Sequence, residues 1–267
     1  ICNGAEPAAP CTSLRHSMFG YEPLIVLGMA IAVMLGGVVK GVTAIGLPIV
    51  TMVIVINFVP PQTALALITV PLLVTNIWQA MRAGDWVYSV RRFWPLMITF
   101  IGCLYIGTLI AASVASNTLF MLIGVAVIIF TGSQLVKPTQ EPLGPAAQHI
   151  LGPLAGALGG ILGGISTIWG PPMMMYLFML HMSKDQWARS VGTIWLVGAI
   201  PLTLFYWQNG VLHPGNIWLS VGACVPGMIG ILIGERIRGY VNEEKFRKVL
   251  LIALLIVGLN LIRRAVM

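Results

Sequence analysis

The sequence predicts an all-α polytopic membrane protein of two inverted repeats, each a broken or re-entrant helix pair followed by three transmembrane helices. Of its 267 residues, 58% are hydrophobic and only 9% are charged, with a mean hydropathy of +0.92. Soluble domains contain about a quarter charged residues, so this composition excludes a soluble enzyme. The charge-free stretches 93–136, 142–183 and 190–234 each exceed the ~20 residues that one spanning helix needs.

Polar breaks and Gly/Pro clusters divide each half into four apolar segments. We expect the first repeat at 18–137 and the second at 150–267, joined by a linker loop at 138–149. Residues 1–17, rich in alanine, proline and cysteine, are expected to be a non-native or disordered tail. The predicted segments are 24–56, 61–81, 93–112 and 118–136 in the first half, and 150–182, 187–207, 217–234 and 249–262 in the second.

The two halves share a residue pattern. A shift of 123 positions places one set of small and turn-forming residues on another. Such an internal duplication is typical of transporter folds. The matched pairs are Gly36 and Gly159, Gly37 and Gly160, Gly41 and Gly164, Thr43 and Ser166, Ile45 and Ile168, and Pro48 and Pro171.

The leading segment of each half, 24–56 or 150–182, is too long for one ordinary helix. A continuous helix of this length would measure ~50 Å, more than one crossing and less than two. Each segment carries a Gly/Pro cluster near its middle, so we expect a pair of short half-helices. Backbone freed at such a break has to face protein or a wet cavity.

The net charge of +7 is interpreted as a topology signal rather than a nucleic-acid-binding surface, because the bases lie in short loops beside apolar segments. If each leading segment enters and returns on one side, eleven Lys and Arg residues become cytoplasmic, three lie outside and Lys40 lies in the membrane. The two halves then have opposite orientations, and both breaks meet near mid-membrane. The cytoplasmic loops would be 82–92, 137–149, 181–189 and 235–248.

Two stretches, 36–48 and 159–172, form the candidate anion site. Half-helix N-termini offer free N–H groups and partial positive charge, glycine permits close backbone approach, and hydroxyl groups donate without charge. Lys40 adds a cation, and we predict neither catalytic residues nor a metal. The candidate substrate-binding residues are Lys40, Gly41, Thr43, Gly46, Pro48, Asn76, Gln79, Gly164, Ser166, Thr167, Trp169, Gly170 and Pro171.

Several of these residues have a structural alternative. Lys40 could snorkel to the interface from a continuous helix, and the hydroxyls of Thr43, Ser166 and Thr167 could bond to a carbonyl one turn earlier. The paired glycines could serve helix packing alone, and Asn76 and Gln79 could bond to a neighbouring helix.

The duplicated GGxxxGxTxxGxP-like pattern and the two-half layout resemble the TauE/SafE family of bacterial sulfite exporters and anion permeases over about residues 20–265. The resemblance implies a transporter of the bacterial inner membrane for sulfite or a small organosulfonate such as sulfoacetate, without a cofactor. The halves differ where Lys40 is matched by Gly163 and Gly46 by Trp169. The two half-sites are therefore not expected to bind identically.

The predicted mechanism is export by alternating access around the two breaks. No Asp or Glu falls in a predicted spanning segment, which disfavours a carboxylate-driven proton antiporter. An inside-negative potential favours anion exit by ~2.3 kcal/mol per charge per 100 mV, so coupling is not required. A channel-like anion pore and a proton- or sodium-coupled importer are the alternatives. An intramembrane enzyme is disfavoured, because Cys103 and Cys224 are isolated and no polar catalytic set is present.

Overall fold

The computed structural model describes residues 20–135 and 143–240, together with isolated helical positions between 252 and 263. The predicted tail at 1–17, the first part of the predicted linker and most of the predicted segment 249–262 lie outside the described residues. The described part is built of helices: α1 (Pro23–Thr43), α2 (Leu47–Val55), α3 (Pro61–Ala83), α4 (Trp86–Ser113), α5 (Ser116–Leu135), α6 (Pro145–Ser166), α7 (Gly170–Met179), α8 (Lys184–Gln208), α9 (Ile217–Gly222) and α10 (Cys224–Ile237).

Six stretches of the described chain are long and apolar enough to cross a membrane. They comprise α1, α3, α4, α6, α8 and the combined α9–α10, with a shorter apolar stretch in α5. Large apolar side chains on their outer faces are exposed, as expected of surfaces that meet lipid. The prediction of an all-α, multi-pass membrane protein is confirmed.

Both leading segments are broken, as predicted. The first divides into α1 and α2 around residues 44–46, and the second into α6 and α7 around residues 167–169. The pairs are unequal, however, because α1 and α6 have 21 and 22 residues whereas α2 and α7 have 9 and 10. The expectation of two short half-helices was therefore wrong: in each pair one helix has spanning length and only its partner is short.

The same local chemistry ends α1 and α6. Ala44 and Thr167 cap these helices in the left-handed conformation, with φ of 64° and 63°. Their N–H groups donate to the carbonyl oxygens of Lys40 and Gly163, which satisfies one orphan carbonyl at each helix end. The next helix then starts with proline in its first turn, where the missing N–H costs no hydrogen bond.

The short helix α2 folds back along α1. The Thr51 hydroxyl on α2 donates to the Ala32 carbonyl oxygen on α1 at 3.4 Å. A Cβ at Gly36 of α1 would lie against Leu47 and Thr51 of α2. The small residue therefore lets the two helices of the hairpin approach closely.

Each leading helix also packs against a helix of the other half. Gly41 on α1 lies against the Ile231 carbonyl oxygen on α10, and a Cβ at Gly164 on α6 would lie 2.5 Å from the Leu104 carbonyl oxygen on α4. A shift of 123 relates the two glycines, and a shift of 127 relates Leu104 to Ile231. The two helix pairs therefore repeat one packing arrangement.

Contacts along the helices define their relative directions. Tyr21, just before α1, is hydrogen-bonded to Thr63 near the start of α3 at 3.2 Å, whereas Lys40 contacts Thr75 in the second half of α3. Helices α1 and α3 are therefore parallel. Helices α3 and α8 are antiparallel, because the Asn76 amide donates to the Trp195 carbonyl while Ala83 of α3 lies beside Gly192 of α8.

The second half is linked to α4 in the same way. Arg189 at the start of α8 pairs with Asp85 just before α4, and Asn209, just after α8, is hydrogen-bonded to Thr108 late in α4. Helices α4 and α8 are therefore parallel. Helix α6 also runs parallel to α4, because Gly156 contacts Leu96 and Gly164 contacts Leu104. Since α1 is parallel to α3 and α3 is antiparallel to α8, α1 and α6 run in opposite directions.

Some element boundaries differ from those predicted. The predicted basic loop 82–92 is a short turn, because α4 begins at Trp86 and includes Arg91 and Arg92, with a kink at Phe93. Helix α8 begins at Lys184 because Ser183 forms a capping box with Gln186.

Two further boundaries also differ. Helix α6 begins at Pro145, inside the predicted linker, and Ala223 separates α9 from α10. Glu235, predicted to lie outside a spanning segment, lies near the end of α10 and pairs with Arg82.

Candidate functional site

The two breaks lie together at one small cavity inside the helix bundle. The cavity contains about 310 Å³ of space not filled by protein atoms, including space open to solvent. Both breaks, the α2 and α7 N-termini, α3 and α8 contribute to its lining: Lys40, Ile45, Gly46, Pro48, Ile49, Leu72, Thr167, Ile168, Trp169, Gly170 and Trp195.

Lys40 is the cation of this cavity. It lies in the last turn of α1, with only 5% of its surface exposed. Its ammonium group donates to the Thr75 hydroxyl at 2.9 Å and to the Asn76 side-chain oxygen. The alternative in which Lys40 snorkels to the interface is therefore wrong.

The partners of Lys40 are themselves fixed in place. Thr75 and Asn76 are 1% and 0% exposed. The Thr75 hydroxyl donates to the Leu72 carbonyl oxygen at 3.1 Å, and the Asn76 amide nitrogen donates to the Trp195 carbonyl oxygen at 3.2 Å. Asn76 thus connects α1, α3 and α8, and its oxygen faces the ammonium group.

Lys40 has no carboxylate partner among the described residues. The two described ion pairs join Arg82 to Glu235 and Arg189 to Asp85, both at the protein surface. A buried charge is normally paired, because its transfer out of water is costly. The ammonium also carries three N–H donors, of which Thr75 and Asn76 use two. One N–H donor of the ammonium group therefore has no partner among the described residues.

Thr43 and Ser166 stabilise the breaks. The Thr43 hydroxyl donates to the Val39 carbonyl at 2.9 Å, and the Ser166 hydroxyl donates to the Leu162 carbonyl at 2.7 Å, each one turn earlier. Each hydroxyl oxygen also accepts the N–H of the residue two positions later, Ile45 or Ile168. Both hydroxyls are thus engaged by the backbone of their own break, and neither residue lines the cavity.

The wall contributed by the second half is aromatic. Trp169 is 2% exposed, and its ring meets Phe100 at 5.7 Å and Trp195 at 6.5 Å between centroids, both in edge-to-face geometry. Trp195 is also buried. Such edge-to-face pairs stabilise one arrangement of the rings, and this wall is largely apolar.

The two helix N-termini at the cavity differ in their hydrogen-bond donors. Helix α2 begins Leu47-Pro48-Ile49, so one of its first three residues lacks an N–H. Helix α7 begins Gly170-Pro171-Pro172, and two of its first three lack one. Since the first N–H groups of a helix are free to bind an anion, the α2 end offers more donors than the α7 end.

Comparison with known protein families identifies the family of this chain. The family described as sulfite exporter TauE/SafE matches residues 29–261, which include both breaks and the whole cavity. This chain belongs to the TauE/SafE family. Neither the curated proteins nor the solved structures compared with the chain contain a match. The family is one of membrane transporters.

In this TauE/SafE protein the cavity contains part of the predicted site. Six of the thirteen candidates line it: Lys40, Gly46, Pro48, Thr167, Trp169 and Gly170. Asn76 contacts the lysine directly. Gly41 and Gly164 lie in the helix interfaces described above. Thr43 and Ser166 lie in the breaks. Gln79, with a buried and unpartnered side-chain oxygen, and Pro171 are outside the cavity lining.

Sequence reasoning missed several residues of the site. Thr75, which holds Lys40, was not singled out, although it adjoins Asn76 in a helix whose middle is largely apolar. Two consecutive polar residues in such a helix were a usable signal. Ile45 and Ile168 were noticed only as a matched pair of the repeat, and nothing local distinguished Ile49 and Leu72 from other apolar residues of their helices.

Proposed function

We propose that this protein is a secondary transporter that exports a sulfur-containing anion, such as sulfite or a small organosulfonate, across the bacterial inner membrane. The family supplies the class of substrate, since its description names sulfite export. The observation that carries the proposal is the Lys40 ammonium, which is buried at the meeting point of the two breaks and lacks a carboxylate partner in the described part of the chain.

A tetrahedral oxyanion head matches the remaining donors of the site. One oxygen accepts from the free ammonium N–H, and others accept from amide groups at the α2 N-terminus. Hydrogen bonds to charged groups contribute about 1.5–3 kcal/mol each. The substrate thereby neutralises the lysine, whose charge is costly at this depth.

Alternating access is the mechanism that the helix arrangement favours. The leading helices run in opposite directions and repeat one packing arrangement on α10 and α4, as expected of inverted repeats related by an axis in the membrane plane. In such transporters the substrate site lies near mid-membrane at broken helices, and one group of helices rocks against the other. In this proposal the cavity between the two breaks is the substrate site.

The distribution of basic residues supports a cytoplasmic assignment for one end of the bundle. In the ranges 20–135 and 143–240, all lysines and arginines other than Lys40 lie at one end of the bundle, in turns or within two helical turns of a helix end, where α3 and α10 finish and α4, α6 and α8 begin. The positive-inside rule assigns such an end to the cytoplasm. These residues are Arg82, Arg91, Arg92, Lys184, Arg189, Arg236 and Arg238.

The membrane potential supplies a driving force for export. Asp185 and Glu235 lie in the terminal turns of their helices, and no other acidic residue lies in the six described spanning stretches. A carboxylate relay through the core therefore lacks its members in this part of the chain. An inside-negative potential contributes ~2.3 kcal/mol per charge per 100 mV to anion exit, and voltage alone is expected to drive transport.

Flux measurements in proteoliposomes with an imposed potential test the proposal. We expect saturable movement of sulfite or of a small organosulfonate toward the positive side without a pH or sodium gradient. Flux that requires such a gradient would instead identify an ion-coupled transporter, and non-saturating single-channel currents would identify an anion pore. Absence of flux for every sulfur anion would contradict the proposed function.

A further inference from the structure

On the basis of the proposed function, and of its alternating access in particular, we infer that Tyr206 and Gln79 are equivalent positioning residues that hold the two breaks in alternate states. Tyr206 holds the second break in the state described by this structure. Gln79 holds the first break in the other state, by donating a hydrogen bond from its amide to the Gly41 carbonyl oxygen. This second bond closes the basic end of the bundle.

Tyr206 on α8 and Gln79 on α3 occupy equivalent positions of the two halves. Tyr206 lies 127 positions after Gln79. The same shift relates Gly107 on α4 to Gly234 on α10, and the packing supports this equivalence. A Cβ added at Gly107 would meet the backbone of α6, and one added at Gly234 would meet the backbone of α1.

The second break leaves one carbonyl oxygen of α6 without a backbone partner. The Thr167 N–H donates to the Gly163 carbonyl oxygen. The Ile168 N–H, which would reach Gly164 in a continuing helix, donates to the Ser166 hydroxyl oxygen instead. The Gly164 carbonyl is therefore one of the orphan acceptors of a helix end.

Tyr206 satisfies this acceptor. Its hydroxyl donates to the Gly164 carbonyl oxygen at 2.8 Å, and its side chain is 0% exposed. The bond ties α8 to the last turn of α6, next to the break. Asn209 lies one turn further along and donates to Thr108, so two hydrogen bonds hold α8 at the end of the bundle opposite the basic residues.

The first break leaves the equivalent acceptor open. The Ala44 N–H donates to the Lys40 carbonyl oxygen. The Ile45 N–H donates to the Thr43 hydroxyl oxygen rather than to Gly41. The Gly41 carbonyl, which the shift of 123 relates to Gly164, is thus passed over by the backbone of its own break in the same way.

Gln79 lies where the tyrosine of the second half would lie, but it does not make the corresponding bond. Its side-chain oxygen is buried and unpartnered. A glutamine amide carries both donors and an acceptor, and neither is used within the described residues. Because a glutamine side chain is shorter than a tyrosine side chain, α3 has to approach α1 more closely for this amide to reach the Gly41 carbonyl.

The basic end is the less completely bonded end in this structure. Buried polar atoms normally have hydrogen-bond partners. The described chain contains four buried side-chain N or O atoms without one, and all four belong to the last two turns of α3 or the first turns of α4 and α8. We therefore assign this structure to the state whose opposite end is closed and whose basic end opens. The four atoms are Trp78 Nε1, Gln79 Oε1, Ser89 Oγ and Trp187 Nε1.

Helices α3 and α8 connect the two breaks. The Asn76 amide of α3 donates to the Trp195 carbonyl oxygen of α8, whereas close glycine contacts hold α1 on α10 and α6 on α4. When the α3–α8 pair rocks, α3 approaches α1 at the basic end while α8 leaves α6 at the other end. The Gln79 and Tyr206 bonds are therefore alternatives.

Spin-label distances in the full chain test this alternation. In nanodiscs without substrate, and in a background without other cysteines, one label pair replaces Met81 and Tyr240 at the basic end. The other pair replaces Ser113 and Gln208 at the opposite end. All four side chains are exposed, and the shift of 127 relates the two pairs. We expect a short and a long distance for each pair, in opposite proportions at the two ends.

Tyr206→Phe removes the hydroxyl and keeps the ring. It should raise the ratio of long to short distances for the 113–208 pair about two- to tenfold, as expected for one lost hydrogen bond, and lower this ratio for the 81–240 pair. Tyr105→Phe, at an exposed tyrosine of α4, is the matched control and should change neither ratio.

Gln79→Leu removes the amide and breaks no hydrogen bond of this structure, so it keeps the inference testable if Tyr206→Phe does not fold. It should raise the ratio of long to short distances for the 81–240 pair about two- to tenfold, because only the other state loses a bond. The double variant should return both ratios toward those of the unmodified protein. Two independent structural defects would not compensate each other in this way.

The possible failures are distinguishable. Unchanged ratios in Gln79→Leu, or a double variant that matches Tyr206→Phe alone, would overturn the inference. A single distance at each end of the unmodified protein would also overturn it. These distances are measured without substrate, so such outcomes leave sulfur-anion flux untouched. Absence of that flux beside the expected distances would contradict the proposed function alone.

Discussion

Lys40 occupies an environment that is costly for a cation. A charge buried within a membrane protein is unfavourable by several kcal/mol unless it is compensated, yet Lys40 is 5% exposed and its described partners are neutral. Thr75 and Asn76 fix the position of the ammonium without neutralising it. We interpret this combination as preorganisation for an anionic ligand, because the protein leaves the last donor and the charge unused.

Asn76→Asp tests whether the neutrality of these partners matters. The new carboxylate would pair with Lys40 and replace the substrate as its counter-charge, so we expect sulfur-anion uptake in proteoliposomes to fall at least about tenfold. Thr75→Ser keeps the hydroxyl that accepts from Lys40 and should transport at nearly the unmodified rate. Undiminished transport by Asn76→Asp would show that the lysine charge is not used in substrate binding.

At two backbone positions of the first break, substitutions are expected to have opposite effects on stability. Ala44 has φ of 64°, a conformation that costs a residue with a Cβ about 1 kcal/mol, so Ala44→Gly should leave stability unchanged or raise the thermal midpoint slightly. Gly46 has φ of 118°, and an added Cβ would lie 2.7 Å from Val39 Cγ1. Gly46→Ala should therefore lower the free energy of unfolding by about 1–3 kcal/mol. Thermal unfolding in detergent compares the two, and equal midpoints would contradict this account of the break.

At the scale of elements, glycine contacts hold each leading helix against the other half. A Cβ at Gly164 would lie 2.5 Å from the Leu104 carbonyl oxygen, whereas a Cβ at Gly102, an exposed residue of α4, would meet nothing within 4 Å. Gly164→Ala should separate α6 from α4 and destabilise the protein by about 1–3 kcal/mol. Gly102→Ala should be neutral or slightly stabilising. The yield of monodisperse protein and its thermal midpoint measure both, and a tolerated Gly164→Ala would contradict the close packing.

Local signals in the sequence were sufficient to predict the elements but not their partners. The clusters around Gly46-Leu47-Pro48 and Gly170-Pro171-Pro172 predicted both breaks because glycine and proline act on their own backbone. The unequal helices of each pair, and the pairing of α1 with α10, depend on contacts between distant residues. Small-residue faces fit many helices, so sequence periodicity could not identify the partner.

The same limit applies to the candidate site. Lys40 was conspicuous because residues 23–81 contain no other charged residue, and the structure places it at the cavity. Whether Thr43 and Ser166 point to a ligand or back to their own helix is decided by side-chain rotation, which the spacing of residues does not determine. Both bond to the carbonyl one turn earlier.

At the scale of the whole molecule, equivalent contacts differ in charge at the two ends of the bundle. Arg82 pairs with Glu235 at 2.7 Å at the basic end, and Asn209 donates to Thr108 at 3.0 Å at the opposite end. Asn209 lies 127 positions after Arg82, and Glu235 lies 127 positions after Thr108. The two contacts therefore join equivalent positions of the two halves. We expect each contact to close one end of the bundle at a different stage of transport. The ion pair closes the basic end, and the neutral hydrogen bond closes the other end.

Thiol accessibility tests this pairing of the two ends. In a background without other cysteines, Ile45→Cys places a thiol in the cavity lining. Glu235→Gln should raise its labelling by an impermeant reagent added at the basic end about two- to fivefold, as expected for an exposed ion pair. Thr108→Val should raise labelling from the other end instead. Equal effects of both variants from one end would contradict the assignment of the contacts to opposite ends.

Binding of the transported anion by the buried lysine between the two breaks is tested by comparing voltage-driven sulfur-anion flux of the unmodified protein and of Lys40→Gln in matched proteoliposomes. We predict saturable flux of sulfite or isethionate by the unmodified protein and a loss of at least about tenfold in the variant, with equal protein incorporation. Equal flux by both proteins would contradict the claim.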